Sequence, residues 1–153
     1  RIHGASRLYF YSLTIEQMGQ QQLLLLVMGI IVAAVAVLVG ITAFFEKMKQ
    51  FEADNLISRN LEIATSAVYW KTKNDPFAGG NASYAGLGTD GLPRLHMEAE
   101  THHAKYEITS VTASAIVITG NSIRYPDIGV RSWLQDYSID STDINYTGAY
   151  TVE

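Results

Sequence analysis

The side chains of this sequence that could bind or transform a ligand are few and locally clustered. His96, Glu98, Glu100 and His102 alternate along one short segment, with His103 beside them. In an extended backbone alternate residues share a face, so these imidazoles and carboxylates could converge on a divalent cation. One contiguous segment makes a poor coordination shell by itself, and the only distant histidine is His3. The segment therefore reads as a solvated polar strand or loop, and no metal is assigned to it. Asp140 and Asp143 sit in a Ser/Thr/Asp-rich stretch that reads as a solvated turn rather than a working acid–base pair. A serine-centred glycine elbow, a Gly-rich phosphate loop and cysteine are all absent, which removes thiolate zinc sites, redox pairs and disulfides. Asn81-Ala82-Ser83 and Asn145-Tyr146-Thr147 fit the glycosylation acceptor pattern, but short matches of this kind are frequent by chance. No catalytic residue and no cofactor is expected, and the chain reads as a non-enzyme.

The element that must position everything else is the uncharged run from Leu23 to Phe45, bounded by Glu16 and Glu46. A bilayer is spanned by about 20 mostly apolar helical residues. A core helix of a soluble domain would show a polar face, and this run shows none. A cleaved secretory signal would be shorter and would end in small residues, whereas this run ends in Phe44-Phe45-Glu46-Lys47. It is read as a membrane-spanning helix. Within it Gly29, Ala33, Ala36, Gly40 and Ala43 recur at alternating spacings of four and three, which places them on one narrow helical strip. Helices in lipid associate through close van der Waals packing, which small side chains permit. The strip is thus a candidate surface for packing against other helices. The flanking charges, Arg1 and Arg7 before and Lys47 and Lys49 after, give no clear orientation.

The chain has 153 residues and a net charge of −4, enough for one small domain beside the membrane segment. Without a Lys/Arg cluster, nucleic acid is not an expected partner. After Glu46 the apolar pattern turns amphipathic. Ala53, Leu56, Ile57, Leu61, Ala64, Ala67 and Val68 recur at helical spacing, with Glu52, Asp54, Ser58, Arg59, Glu62 and Ser66 assigned to the opposite side. The pattern predicts one helix from Gln20 to Lys73, stopped by Asn74-Asp75-Pro76 and Gly79-Gly80. Residues 74–104, rich in glycine, read as a loop with short ordered pieces near Ala82–Tyr84 and Leu92–Met97.

Four β segments follow in the reading. Tyr106–Val111 and Ser114–Thr119 alternate and are joined at Thr112-Ala113 as a hairpin. Gly120-Asn121-Ser122 and Pro126-Asp127-Ile128-Gly129 read as turns. Val130–Ile139 is a third strand, with Arg131, Trp133, Gln135 and Tyr137 on one face and Val130, Ser132 and Leu134 on the other. Ile144–Val152 is a candidate fourth. The expected fold is α+β: one long N-terminal helix, half apolar and half amphipathic, packed on a small antiparallel sheet of three or four strands.

Ahead of the apolar run stands Met18-Gly19-Gln20-Gln21-Gln22-Leu23. A glycine, a short uncharged polar group and then a long apolar helix resembles the type IV pilin-like family, the bacterial pilins and the pseudopilins of secretion systems. The resemblance covers Met18 to about Lys73 in pattern and the remainder in general layout. It implies a leader that ends at Gly19, cleavage by a prepilin peptidase, and Gln20 as the first mature residue. The family pattern has an aromatic first mature residue and a glutamate as the fifth; here those positions hold Gln20 and Leu24. The charge pairing associated with that glutamate is therefore not on offer, and Gln20–Gln22 supply hydrogen bonds instead. Residues 1–19 read as a leader or upstream extension, since Met18 is the first methionine; the Tyr9-Phe10-Tyr11 cluster within them suits an interfacial anchor. Residues 20–50 read as the transmembrane or filament-core half of the helix, and 51–153 as a head.

What this resemblance implies is a structural subunit of a pilus-like surface filament or secretion pseudopilus. It would be held in the inner membrane by a single pass and then moved to the cell surface. Its partners would be the membrane, copies of itself or other pilins, the peptidase and an assembly machinery. The alternative is a non-polymerising, single-pass, membrane-anchored extracytoplasmic binding or sensory module.

Overall fold

A computed structural model describes residues 3–75, 79–88 and 90–150 of the chain, with side chains from Gly19 onward. The side chains of Tyr9, Phe10, Tyr11 and Met18, the stop at Pro76 and the strand end at Val152 lie outside the described residues. The first element is a helix, α1 (His3–Thr72). By internal contacts the chain divides into Arg1–Glu46 and Lys47–Glu153.

In the second unit, α1 from Lys47 onward is followed by a short 3₁₀ turn, Ala85–Leu87, and a four-residue helix α2 (Gly91–Arg94). Four strands then run β1 (Ala104–Val111), β2 (Ala115–Ser122), β3 (Gly129–Gln135) and β4 (Ser138–Asn145). They form one sheet in the order β1-β2-β3-β4, each pair antiparallel. The fold is the α+β arrangement of a long helix on a small antiparallel sheet. The hairpin at Thr112-Ala113 closes as expected, with the Thr112 amide donating to the Ala115 carbonyl at 2.8 Å and the Ala115 amide donating to the Thr112 hydroxyl at 2.9 Å.

The core lies between α1 and one face of the sheet. Ala53, Leu56, Ile63, Ala64 and Ala67 of the helix pack with Ile108, Ile116, Ile118, Val130 and Leu134 of the strands. Tyr84, Leu87 and Leu92 from the connecting segment join the same cluster. Each large aliphatic side chain removed from water here contributes about 1.5–3 kcal/mol. The expected alternation on β3 holds, with Val130, Ser132 and Leu134 buried and Arg131 and Trp133 only half-buried.

Several expectations are corrected. Leu61 is 52% exposed and does not belong to the core, whereas Glu52 is buried at 7% exposure. The helical stripe that meets the sheet reads Glu52, Leu56, Asn60, Ile63, Ala67, Lys71, so polar residues share the buried face. Gly120-Asn121-Ser122 is not a turn but the end of β2, paired with Val130 and Gly129 of β3 and with Tyr106, Lys105 and Ala104 of β1. Glycine is required there by close approach: a Cβ on Gly120 would stand 2.9 Å from Tyr106 Cε1 and 3.0 Å from Asn60 Oδ1. The third strand stops at Gln135, because Asp136 turns the chain with φ 56°. Aspartate tolerates that left-handed geometry better than most residues. Tyr137 lies in this turn, and the fourth strand begins at Ser138 rather than Ile144. Asp140 and Asp143 therefore stand on β4, not in a turn.

Candidate functional site

The stretch that carries the functional argument is Gly19–Glu46 of α1. Every side chain in it is exposed: Leu25 is 67% accessible, Val32 66% and Phe44 62%. The helix from Gly19 is long and apolar enough to cross a membrane, and its most apolar window is not buried anywhere in the fold. Between Leu23 and Phe45 the sole hydrogen-bonding side chain is Thr42, whose hydroxyl donates to the Val39 carbonyl at 2.9 Å. That internal bond satisfies the hydroxyl without water, as an apolar surrounding requires. Main-chain groups are satisfied by the helix itself. What this surface can do is enter lipid or meet other apolar surfaces; an exposed apolar area of this size is not tolerated in water.

Gly29, Ala33, Ala36, Gly40 and Ala43 all lie on this helix and all are exposed. No atom lies within 4 Å of a Cβ built on Gly29 or Gly40, so the described chain itself leaves this strip uncovered. Gly19 and Gln20 are helical and exposed, and the space around Gly19 is likewise open.

The histidine and carboxylate segment falls elsewhere. His96, Glu98, Glu100, His102 and His103 are all exposed, and they lie in the connection between α2 and β1. Glu100 pairs with Lys105 at 3.4 Å. The rings of His102 and His103 meet edge to face with centroids 5.2 Å apart. Among the described residues, no group of three or more His, Asp or Glu side chains is arranged to hold a metal ion.

Sequence reasoning missed a cluster at the end of α1. Lys71 is 3% exposed. Its ammonium donates to the Asp136 carbonyl at 2.9 Å and lies 4.4 Å from the ring centroid of Tyr84 and 4.5 Å from that of Tyr137. The Tyr84 hydroxyl donates to the same carbonyl at 2.7 Å. Burial raises the Tyr84 hydroxyl above its ordinary pKa, and the nearby Tyr137 and Asp136 add to the rise. The Lys71 ammonium and the Tyr84 hydroxyl both end on the Asp136 carbonyl, so the cluster fastens the β3–β4 turn to the helix. Lys71 continues the helical spacing of Ala64, Ala67 and Val68, which the exposed Lys73 two residues on does not, but its charge keeps it out of an apolar pattern.

A second fastening lies on the outer sheet face. Asn121 Nδ2 donates to the Tyr150 carbonyl at 3.2 Å, and the Tyr150 amide donates to Asn121 Oδ1 at 3.1 Å. The Tyr150 hydroxyl donates to the Asp143 carboxylate, and the Arg131 guanidinium lies 4.4 Å from the Tyr150 ring centroid. Burial first, and then the bond to Asp143 and its charge, push the Tyr150 hydroxyl up to about 12, against an opposing effect of Arg131.

Comparison with protein-family models, with curated proteins and with solved structures finds no match for this chain. What the fold defines is a class: an α+β domain whose long helix includes a stretch apolar enough to span a membrane.

Proposed function

We propose that this protein is a structural subunit of a type IV pilus-like filament or pseudopilus, held in the membrane by Leu23–Phe45 before assembly. The observation that carries the reading is the complete exposure of that apolar stretch. Lipid would cover it before assembly, and equivalent helices of other subunits would cover it afterwards. The uncovered strip from Gly29 to Ala43 supports the second state, because it lets neighbouring helices approach closely. The glycine and polar triplet at Gly19–Gln22 support processing by a prepilin peptidase between Gly19 and Gln20. In this reading the protein is not an enzyme, and its partners are membrane, like subunits, peptidase and assembly machinery.

The test is terminal-peptide and intact-mass analysis of the protein from membrane and sheared surface fractions. The expected outcome is a mature chain beginning at Gln20 and recovered in filaments. A surface-exposed protein that keeps Met18 and never enters a sheared fraction would instead establish the anchored, non-polymerising module.

A further inference from the structure

We propose that Asn145 is an acceptor for an N-linked glycan and that the fold, rather than the tripeptide alone, makes it one. This rests on the reading that residues 51–153 face the extracytoplasmic side. Two acceptor patterns occur in the sequence, and the structure separates them. At Asn145-Tyr146-Thr147 the chain leaves β4 in a turn closed by the asparagine side chain. Asn145 Oδ1 accepts from the Thr147 amide at 2.9 Å and from the Thr147 hydroxyl at 2.7 Å. The side-chain nitrogen Nδ2 donates no hydrogen bond to any described residue. Asn145 also lines an open depression of about 480 Å³ on the outer sheet face, together with Trp133, Arg131 and Tyr150. Among the described residues the reacting nitrogen is thus unengaged.

At Asn81-Ala82-Ser83 the asparagine is exposed and its Nδ2 likewise donates to no described residue, but the bonds that close the turn at Asn145 are missing. No described hydrogen bond joins Ser83 to the Asn81 side chain; the Ser83 hydroxyl accepts from the Ala85 amide at 3.1 Å instead. Asn81 itself has φ 49°.

An amide nitrogen is a weak nucleophile because its lone pair is delocalised into the carbonyl. Two donors on Oδ1 stabilise negative charge on that oxygen, which favours loss of a proton from Nδ2. In the transfer, Nδ2 forms a bond to the anomeric carbon of a polyprenyl-diphosphate-linked oligosaccharide. The bond from that carbon to the phosphate oxygen breaks, the diphosphate leaves with the electron pair, and a base of the transferase takes the Nδ2 proton. No oxidant or reductant is needed.

The experiment has two arms. In the first, full-length protein is recovered from its own cells, the side of the head is fixed by protease accessibility on intact cells, and Asn145 and Asn81 peptides are mass-analysed. Glycan on Asn145 with Asn81 bare is expected. An accessible head with Asn145 bare overturns the glycan site and leaves the membrane reading standing; an inaccessible head overturns both. In the second arm, folded full-length protein in detergent is offered to a purified oligosaccharyltransferase with a polyprenyl-diphosphate oligosaccharide donor. Modification at Asn145 only is expected. Asn145→Gln and Thr147→Val should abolish it, Thr147→Ser should retain it, and Asn81→Gln should change nothing. Equal modification of Asn81, or retention in a folded Thr147→Val variant, would show that the turn geometry has no role.

Discussion

Lys71 shows how one residue can be both costly and specifying. A buried ammonium is tolerated only where partners replace its hydration, and here a carbonyl and two tyrosine rings do so. Desolvated cation–π contacts are worth about 2 kcal/mol, and a hydrogen bond from a charged donor about 1.5–3 kcal/mol. Lys71→Met keeps the stem and removes the charge, and also relieves the burial cost. We expect a net loss of about 1–2 kcal/mol in denaturant unfolding, with a larger loss for Lys71→Ala, which adds a cavity. An unchanged midpoint for Lys71→Ala would mean that the turn is held by Tyr84 alone. Tyr150 gives a pH prediction. Its hydroxyl titrates near 12 in the fold against 10.0 when unperturbed, so below the lower value both states keep the proton and stability is unaffected. Between the two values the unfolded chain has lost a proton that the folded chain retains, so stability falls as pH rises through that window. Tyr150→Phe should flatten the alkaline slope of thermal unfolding while leaving its neutral-pH arm parallel.

At the scale of elements, α1 from Lys47 onward is fixed on the sheet by more than its apolar stripe. The Ser122 hydroxyl donates to Glu52 Oε1 at 2.8 Å, Asn60 Nδ2 donates to the Val130 carbonyl at 3.3 Å, and Lys71 reaches Asp136. Apolar contacts are non-directional and would accept a slide along the groove. Three polar ties at the start, middle and end of the stripe do not, because a slide leaves each buried group unpaired. In the apolar half, the exposed strip governs a different expectation. Ala36→Leu and Gly40→Leu preserve apolarity, so membrane-held protein should stay at its normal amount. A bulky residue in a close contact costs about 1–3 kcal/mol per site, and in the filament proposed above every subunit would repeat it. Sheared-filament yield should therefore fall to little or nothing, with Val35→Leu milder. Normal filament yield from Ala36→Leu would remove the strip from the assembly surface.

For the whole molecule, the buried core among the described residues is drawn from Ala53 and later residues. The second unit therefore needs nothing apolar from Leu23–Phe45 to complete its interior. A chain beginning at Phe51 should be folded, soluble and monomeric by circular dichroism and gel filtration. A chain beginning at Lys73 loses Leu56, Ile63 and the rest of the helical stripe, and uncovers Ile116, Ile118 and Val130 on the sheet. It should aggregate. A monodisperse Lys73 chain would contradict the packing described above.

Much of this architecture is determined locally and was legible in the sequence. An uncharged apolar run has only a helix open to it in lipid, and amphipathic or alternating patterns name helix and strand by their own period. The helix long and apolar enough to cross a membrane, the hairpin at Thr112-Ala113, the inner face of β3 and the α+β class follow from that. Periodicity counts apolar residues, so it could not find Glu52, Asn60 and Lys71 on the buried stripe or recognise Leu61 as exposed. Their burial depends on which sheet atoms stand opposite, and Ser122, Val130 and Asp136 are about 65–70 residues away. Gly120 reads as a turn residue along the chain and as a strand residue only when the Tyr106 ring is beside it. The two glycosylation patterns are equivalent as tripeptides; the hydrogen bonds of Thr147 set one apart, and those exist only where β4 ends. Short-range stereochemistry and burial preference are written in the order of residues, whereas the pairing of polar groups across a core is decided by distance in the folded chain.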